Sequence, residues 1–145
     1  LAAPSRPVIC FTGDGSLMMN LQELATAAEQ RTNVAIVLFD NRGLGLVRQQ
    51  QKLFYEGRTP ESDFHAPTDF AALAEAMGVR AIDTEATGDI DGALRACLAH
   101  EGPSLVRMSL ASERQVFPMV PPGAANAEML PRKRTPSLAA NRSRR

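Results

Sequence analysis

The chain has no tryptophan, one tyrosine, two histidines and two cysteines in 145 residues. Cys10 and Cys97 are too few and too far apart for a disulfide scaffold or a zinc knuckle. Each is therefore expected to act as a small hydrophobe in the core. The longest unbroken apolar run, Val34 to Phe39, has six residues, well short of the roughly 20 that cross a bilayer. With no signal-peptide pattern either, the expectation is a cytoplasmic protein that does not enter a membrane. His65 and His100 have no serine and acid arranged around them, so neither is expected to act as a catalytic base.

An excess of one charge is also missing, since 16 Lys and Arg balance 16 Asp and Glu. The balance is uneven along the chain. Six of the basic residues, Arg132, Lys133, Arg134, Arg142, Arg144 and Arg145, fall in the last fifteen positions, which hold no acid. The body up to Leu130 keeps all 16 acids against 10 bases, a net of −6. The basic stretch has no aromatics and no helical period, so residues 131–145 are expected to form a disordered tail with no nucleic-acid partner.

Within the body, short apolar runs alternate with helical patterns. Pro7 to Thr12 reads as a buried strand, and Val34 to Phe39 as one buried on both faces. Val79 to Asp83 and Pro103 to Leu110 read as two more. Leu21, Leu24, Ala25 and Ala28 share one helical face, with Asn20 and Glu23 as a candidate capping box. Leu46 to Tyr55, Asp69 to Met77 and Ile90 to His100 are predicted helices, the second ended by Gly78. Glu56 to Thr68 reads as a long surface loop. Strands alternating with helices predict an α/β fold with a mostly parallel sheet and flanking helices. Ligands in such folds bind at the carboxyl ends of strands, where both glycine loops of this chain lie.

The first loop, Gly13-Asp14-Gly15-Ser16, joins a strand to a helix. Its glycines let backbone N–H groups approach a phosphate closely. Met18 stands where a dinucleotide fingerprint needs a third glycine, which excludes that reading. An acid between the glycines would repel a phosphate unless a cation lay between them. Asp14 therefore points to Mg²⁺, which favours oxygen ligands shared between protein and phosphate. Asn41 follows the next strand, and its side-chain oxygen, with a carbonyl from the glycine loop after it, could complete the cation's ligands.

Gly-Asp-Gly with 25 residues between its last glycine and an Asn resembles the diphosphate-binding motif of thiamine diphosphate (ThDP) enzymes. The stretches Gly13 to Thr26, Leu44 to Glu56, Asp69 to Val79 and Pro118 to Met129 are similar, in order, to the acetolactate (acetohydroxyacid) synthase catalytic subunit, most of all to its bacterial isozyme I branch. The resemblance implies that Asp14 and Asn41 ligate Mg²⁺ through side chains and Gly43 through its carbonyl. It implies that Gly13, Gly15 and Ser16 cradle the diphosphate, and that Leu44, Gly45 and Leu46 lie against the cofactor. The implied reaction condenses pyruvate, with loss of CO₂, onto a second 2-oxo acid in branched-chain amino-acid biosynthesis.

Gln50 stands where many acetolactate synthases carry a tryptophan that lines the substrate channel and favours 2-oxobutyrate. This departure implies that acetolactate from two pyruvates is the main product. Asp40-Asn41 replaces the Asn-Asn of many ThDP enzymes, with the second, ligating position kept. Family members are several times longer, with an N-terminal domain that supplies the activating glutamate and a middle domain that binds FAD. They act as homodimers of catalytic subunits, with a small regulatory subunit. Residues 1–130 are accordingly expected to be the C-terminal part of the diphosphate domain, incomplete at its N-terminal side, with no catalytic residue of their own and no turnover in isolation. Two alternatives stand: another ThDP-dependent carboligase or decarboxylase, such as glyoxylate carboligase, or a truncated product without catalytic function.

Overall fold

The computed structural model describes residues 6–131, so the basic stretch from Arg132 onward lies outside the described residues. The described chain divides into two compact units, one ending at Arg114 and one beginning at Gln115.

The first unit is built on four parallel strands: β1 (Val8–Gly13), β2 (Val34–Asp40), β3 (Arg80–Asp83) and β4 (Ser104–Ser109), in the spatial order β1-β2-β4-β3. Its helices are α1 (Asp14–Met19), α2 (Glu23–Glu29), α3 (Gly45–Phe54), α4 (Phe70–Ala76), α5 (Thr84–Thr87) and α6 (Ile90–Leu98). The expected α/β class holds, with a sheet that is parallel throughout.

Strand alternation sends successive side chains to opposite faces and so creates two cores. Ile36, Leu38 and Leu105 pack against Leu17, Leu24, Phe70, Ala74 and Val79 on one face. Ala35, Val37 and Val106 meet Ala93 and Cys97 of α6 on the other. β2 and β4 are central, which explains the unbroken apolar run of β2 and the full burial of Leu105 and Val106 in β4.

Three expectations need correction. β1 is an edge strand and is not buried: Val8, Ile9 and Phe11 are exposed, and Phe11 stacks on Phe39 with ring centroids 6.1 Å apart. Cys10 is exposed for the same reason, whereas Cys97 lies in the core as expected. Asn20 does not cap the second helix. A helix already begins at Asp14, and Asn20 closes it; α2 starts after Gln22 with no side-chain cap.

Other boundaries follow local chemistry. Asp69 and Asp89 cap α4 and α6, accepting from the N–H groups of Ala72 at 2.9 Å and Gly92 at 2.8 Å. Gly78, at φ +82°, turns the chain out of α4 in a conformation that favours glycine. The short helix α5 was not expected from the sequence, although Asp83 caps it and Gly88 ends it at φ +68°.

The second unit, from Gln115, contains a two-way backbone pairing of Met119 with Leu130 and a 3₁₀ turn over Asn126–Glu128. The Glu128 carboxylate accepts from the Ala125 N–H at 2.9 Å. No helix among the described residues is long and apolar enough to cross a membrane.

Candidate functional site

The register aligns Gly13 with Phe39, Asp40 with Ser109 and Asp83 with Arg107, so the carboxyl ends of the strands share one edge of the sheet. Both glycine loops leave from that edge, and Asp14 joins them. Its Oδ1 accepts from the N–H of Gly15 at 2.8 Å, and its Oδ2 from the N–H of Gly43 at 2.9 Å. The side chains of Leu44 and Phe64 close over Gly15. A Cβ there would stand 2.8 Å from Leu44 Cδ2. Asn41 lies over Gly45, where a Cβ would stand 2.5 Å from its Nδ2. A side chain at either position would push the end of Leu44 or Asn41 aside. Asp14 thus links Gly15 to Gly43, with Leu44 over Gly15 and Asn41 over Gly45.

Ser16 and Leu46 are exposed at the starts of α1 and α3, and Leu44 is exposed between the loops. Gln50 is exposed on the outer side of α3, beside a groove of about 500 Å³ lined also by Val47, Gln51, Tyr55, Arg58 and Pro60. It is set apart from the Asp14 cluster by a turn of helix.

The predicted surface loop is exposed over most of its length, and its residues 62–64 return to pair with the second glycine loop. Gly43 and Asp63 form an antiparallel bridge, with Leu44 N–H donating to Ser62 carbonyl at 2.8 Å and Phe64 N–H to Arg42 carbonyl at 2.9 Å. Arg48 is buried beneath this pairing, where it forms an ion pair with Asp63 and donates to the Ser112 carbonyl at 2.9 Å. Its place in a helix, as an arginine in an apolar and amide-rich stretch, was the available signal.

A second buried carboxylate, Asp40, stands beside Asp14 at the end of β2. Its Oδ2 accepts from Arg107 Nε and Nη2, each at 2.7 Å. Arg107 Nη1 reaches Asp83 at 2.7 Å and Glu85 at 3.0 Å. Burial opposes the Arg107 charge, but these carboxylates outweigh it and hold the guanidinium above its usual pKa. Asp14 has no such partner and takes part in no ion pair among the described residues. Burial, with a smaller contribution from Asp40, pushes its carboxyl pKa up against the lowering effect of its two N–H donors.

These residues fit a cation bound with a diphosphate. A buried carboxylate with no cationic partner calls for positive charge, and each of its oxygens has a lone pair beyond the one already used. The Gly43 carbonyl accepts from Gly45 N–H at 3.0 Å and has a second lone pair. Carboxylate, amide and carbonyl oxygens are the hard donors Mg²⁺ takes. Among the described residues no group of three or more His, Cys, Asp or Glu is placed to hold a metal, so the neutral oxygens are essential to such a site.

Residues 1–108 match the family described as thiamine pyrophosphate enzyme, C-terminal TPP binding domain. The chain is 45% identical over 130 residues to the acetolactate synthase isozyme 1 large subunit of Escherichia coli (strain K12), covering 90% of this chain and 23% of that one. To the isozyme 2 large subunit of the same organism it is 42% identical, covering 90% and 24%. The chain therefore spans about a quarter of the length of these relatives. Among solved structures, a thiamine diphosphate-dependent 4-hydroxybenzoylformate decarboxylase from Rhodococcus jostii RHA1 superposes with a TM-score of 0.71 at 32% identity, over 79% of this chain and 21% of that one. The fold, the two glycine loops and the match over residues 1–108 agree, and the chain belongs to the thiamine pyrophosphate enzyme family through its C-terminal TPP-binding domain.

Proposed function

We propose that this segment holds the diphosphate of ThDP through Mg²⁺ and works as part of an acetolactate synthase catalytic subunit. The observation that carries the reading is the unpaired buried Asp14, fastened at 2.9 Å to Gly43 between the two glycine loops. Asp14, Asn41 and the Gly43 carbonyl would hold the metal, and Gly13, Gly15 and Ser16 would surround the diphosphate. Leu44, Gly45 and Leu46 would face the thiazolium side, where the exposed Leu44 and Leu46 offer apolar surface and exclude water. When bound, ThDP would supply the carbanion chemistry that joins two 2-oxo acids with loss of CO₂.

The identity to two acetolactate synthase large subunits, at 45% and 42%, favours 2-oxo acid condensation over the decarboxylation named for the structural relative at 32%. Gln50 in place of an indole supports pyruvate as a good acceptor, so acetolactate is the main product of the whole enzyme. FAD, a second catalytic subunit, a small regulatory subunit and a cytoplasmic setting belong to that whole-enzyme reading. The segment alone lacks the activating glutamate that the resemblance assigns elsewhere, and it does not turn over pyruvate.

The purified 145-residue chain, supplied with ThDP, Mg²⁺ and pyruvate, should form no acetolactate while binding ThDP in a metal-dependent, saturable way. Acetolactate formation by this chain would refute the assignment of the activating group to another part. In the whole enzyme, a strong preference for 2-oxobutyrate over pyruvate would refute the reading of Gln50.

A further inference from the structure

Asp14 and Asp40 are both 3% exposed and lie side by side at the sheet's carboxyl edge, yet only Asp40 is compensated. Arg107 grips one Asp40 oxygen with two nitrogens at 2.7 Å, and the Arg42 N–H donates to the other at 3.0 Å. Asp40 immediately precedes Asn41, and its carbonyl accepts from Leu110 N–H at 2.8 Å, so the whole residue is tied to the β4 side. The same guanidinium, through Asp83 and Glu85, joins β3 and α5 to the edge. It is buried itself and cannot serve as a solvent-exposed phosphate ligand.

We propose that Arg107 is a positioning residue for the cation and diphosphate site, acting through Asp40. It cancels the Asp40 charge and holds that carboxylate toward β4, which leaves Asp14 as the one uncompensated buried carboxylate facing the incoming cation. Without Arg107, a second negative charge would stand beside Asp14. Opposed to a diphosphate, that charge weakens binding even with the metal at saturation, because like charges in a low-dielectric setting are poorly screened. The loop from Asn41 to Gly45 would also lose the anchor at its first end. The inference rests on the reading of Asp14 and Asn41 as the cation site.

The test measures ThDP affinity of the full 145-residue chain calorimetrically at saturating Mn²⁺, beside the thermal midpoint, for Arg107→Met, Asp40→Asn and the double variant. Arg107→Met is expected to weaken ThDP binding at least tenfold. The double variant, in which position 40 carries no charge for Arg107 to cancel, is expected to match Asp40→Asn within threefold, because Asp83 and Glu85 lie on the β3 and α5 side of the guanidinium. If Arg107→Met does not fold, that second comparison decides. A lowered midpoint with unchanged ThDP affinity in Arg107→Met would make Arg107 a structural tie only and overturn the proposal. So would a double variant much weaker than Asp40→Asn. If the parent chain shows no metal-dependent ThDP binding, the cation-site reading itself fails, and the proposal with it.

Discussion

Asp14 Oδ2 accepts the Gly43 N–H at 2.9 Å across 29 residues of sequence. This bond joins the first turn of α1 to the loop after β2, so a carboxylate suited to a metal also sets the backbone that would offer the metal a carbonyl. The site's shape and its charge therefore depend on the same side chain.

Gly43 should not accept a side chain. A Cβ at that position would overlap the Ser62 carbonyl and stand 3.0 Å from Arg48 Nη1. Gly43→Ala must therefore push apart the Gly43–Asp63 bridge, at about 1–3 kcal/mol for an overpacked position. Urea unfolding should show a lower midpoint with an unchanged slope, and ThDP binding should weaken because the Asp14 bond is displaced.

Arg48 holds that loop from beneath. Its side chain is 6% exposed, whereas its partner Asp63 is 44% exposed. Arg48→Met removes the ion pair and the donor to the Ser112 carbonyl. The cost should be about 1–3 kcal/mol, the range for leaving buried polar groups unmatched. Partial solvation of Asp63 keeps it from rising to that of a fully buried pair. Denaturant unfolding of the variant measures it.

Asp69→Ala tests a helix cap that supplies no proposed ligand. The Asp69 carboxylate accepts from Ala72 N–H at 2.9 Å at the start of α4, which delivers Phe70 and Ala74 to the core. Its loss should cost about 1 kcal/mol, seen as a lower thermal midpoint. Metal-dependent ThDP affinity should stay within twofold, since α4 supplies no proposed ligand.

The parts of this arrangement that were legible are those written in contiguous residues. β2 reads correctly because a central parallel strand is apolar on both faces, and both glycine segments are correctly placed at strand ends, although the first passes straight into α1. What was not legible depends on which strands become neighbours. Arg107 sits inside an apolar run, and only the β1-β2-β4-β3 order places it between Asp40 and Asp83. Cys10 was misread because composition cannot tell an edge strand from a buried one. Asn20 stands at a helix end rather than a helix start because Asp14 to Met19 already form α1, which the Gly-Asp-Gly punctuation hides. The return of residues 62–64 onto Gly43 is a long-range backbone pairing with no local sequence pattern.

The central claim is that Asp14 takes a divalent cation that carries a diphosphate. The most direct measurement is a calorimetric titration of the chain with ThDP, with and without Mg²⁺, for the parent and for Asp14→Asn. Asp14→Asn keeps the size of the side chain but removes its charge. The account predicts binding by the parent only when Mg²⁺ is present, and a loss of at least tenfold in Asp14→Asn. Equal affinity in parent and variant, or binding by the parent that is indifferent to Mg²⁺, would contradict it.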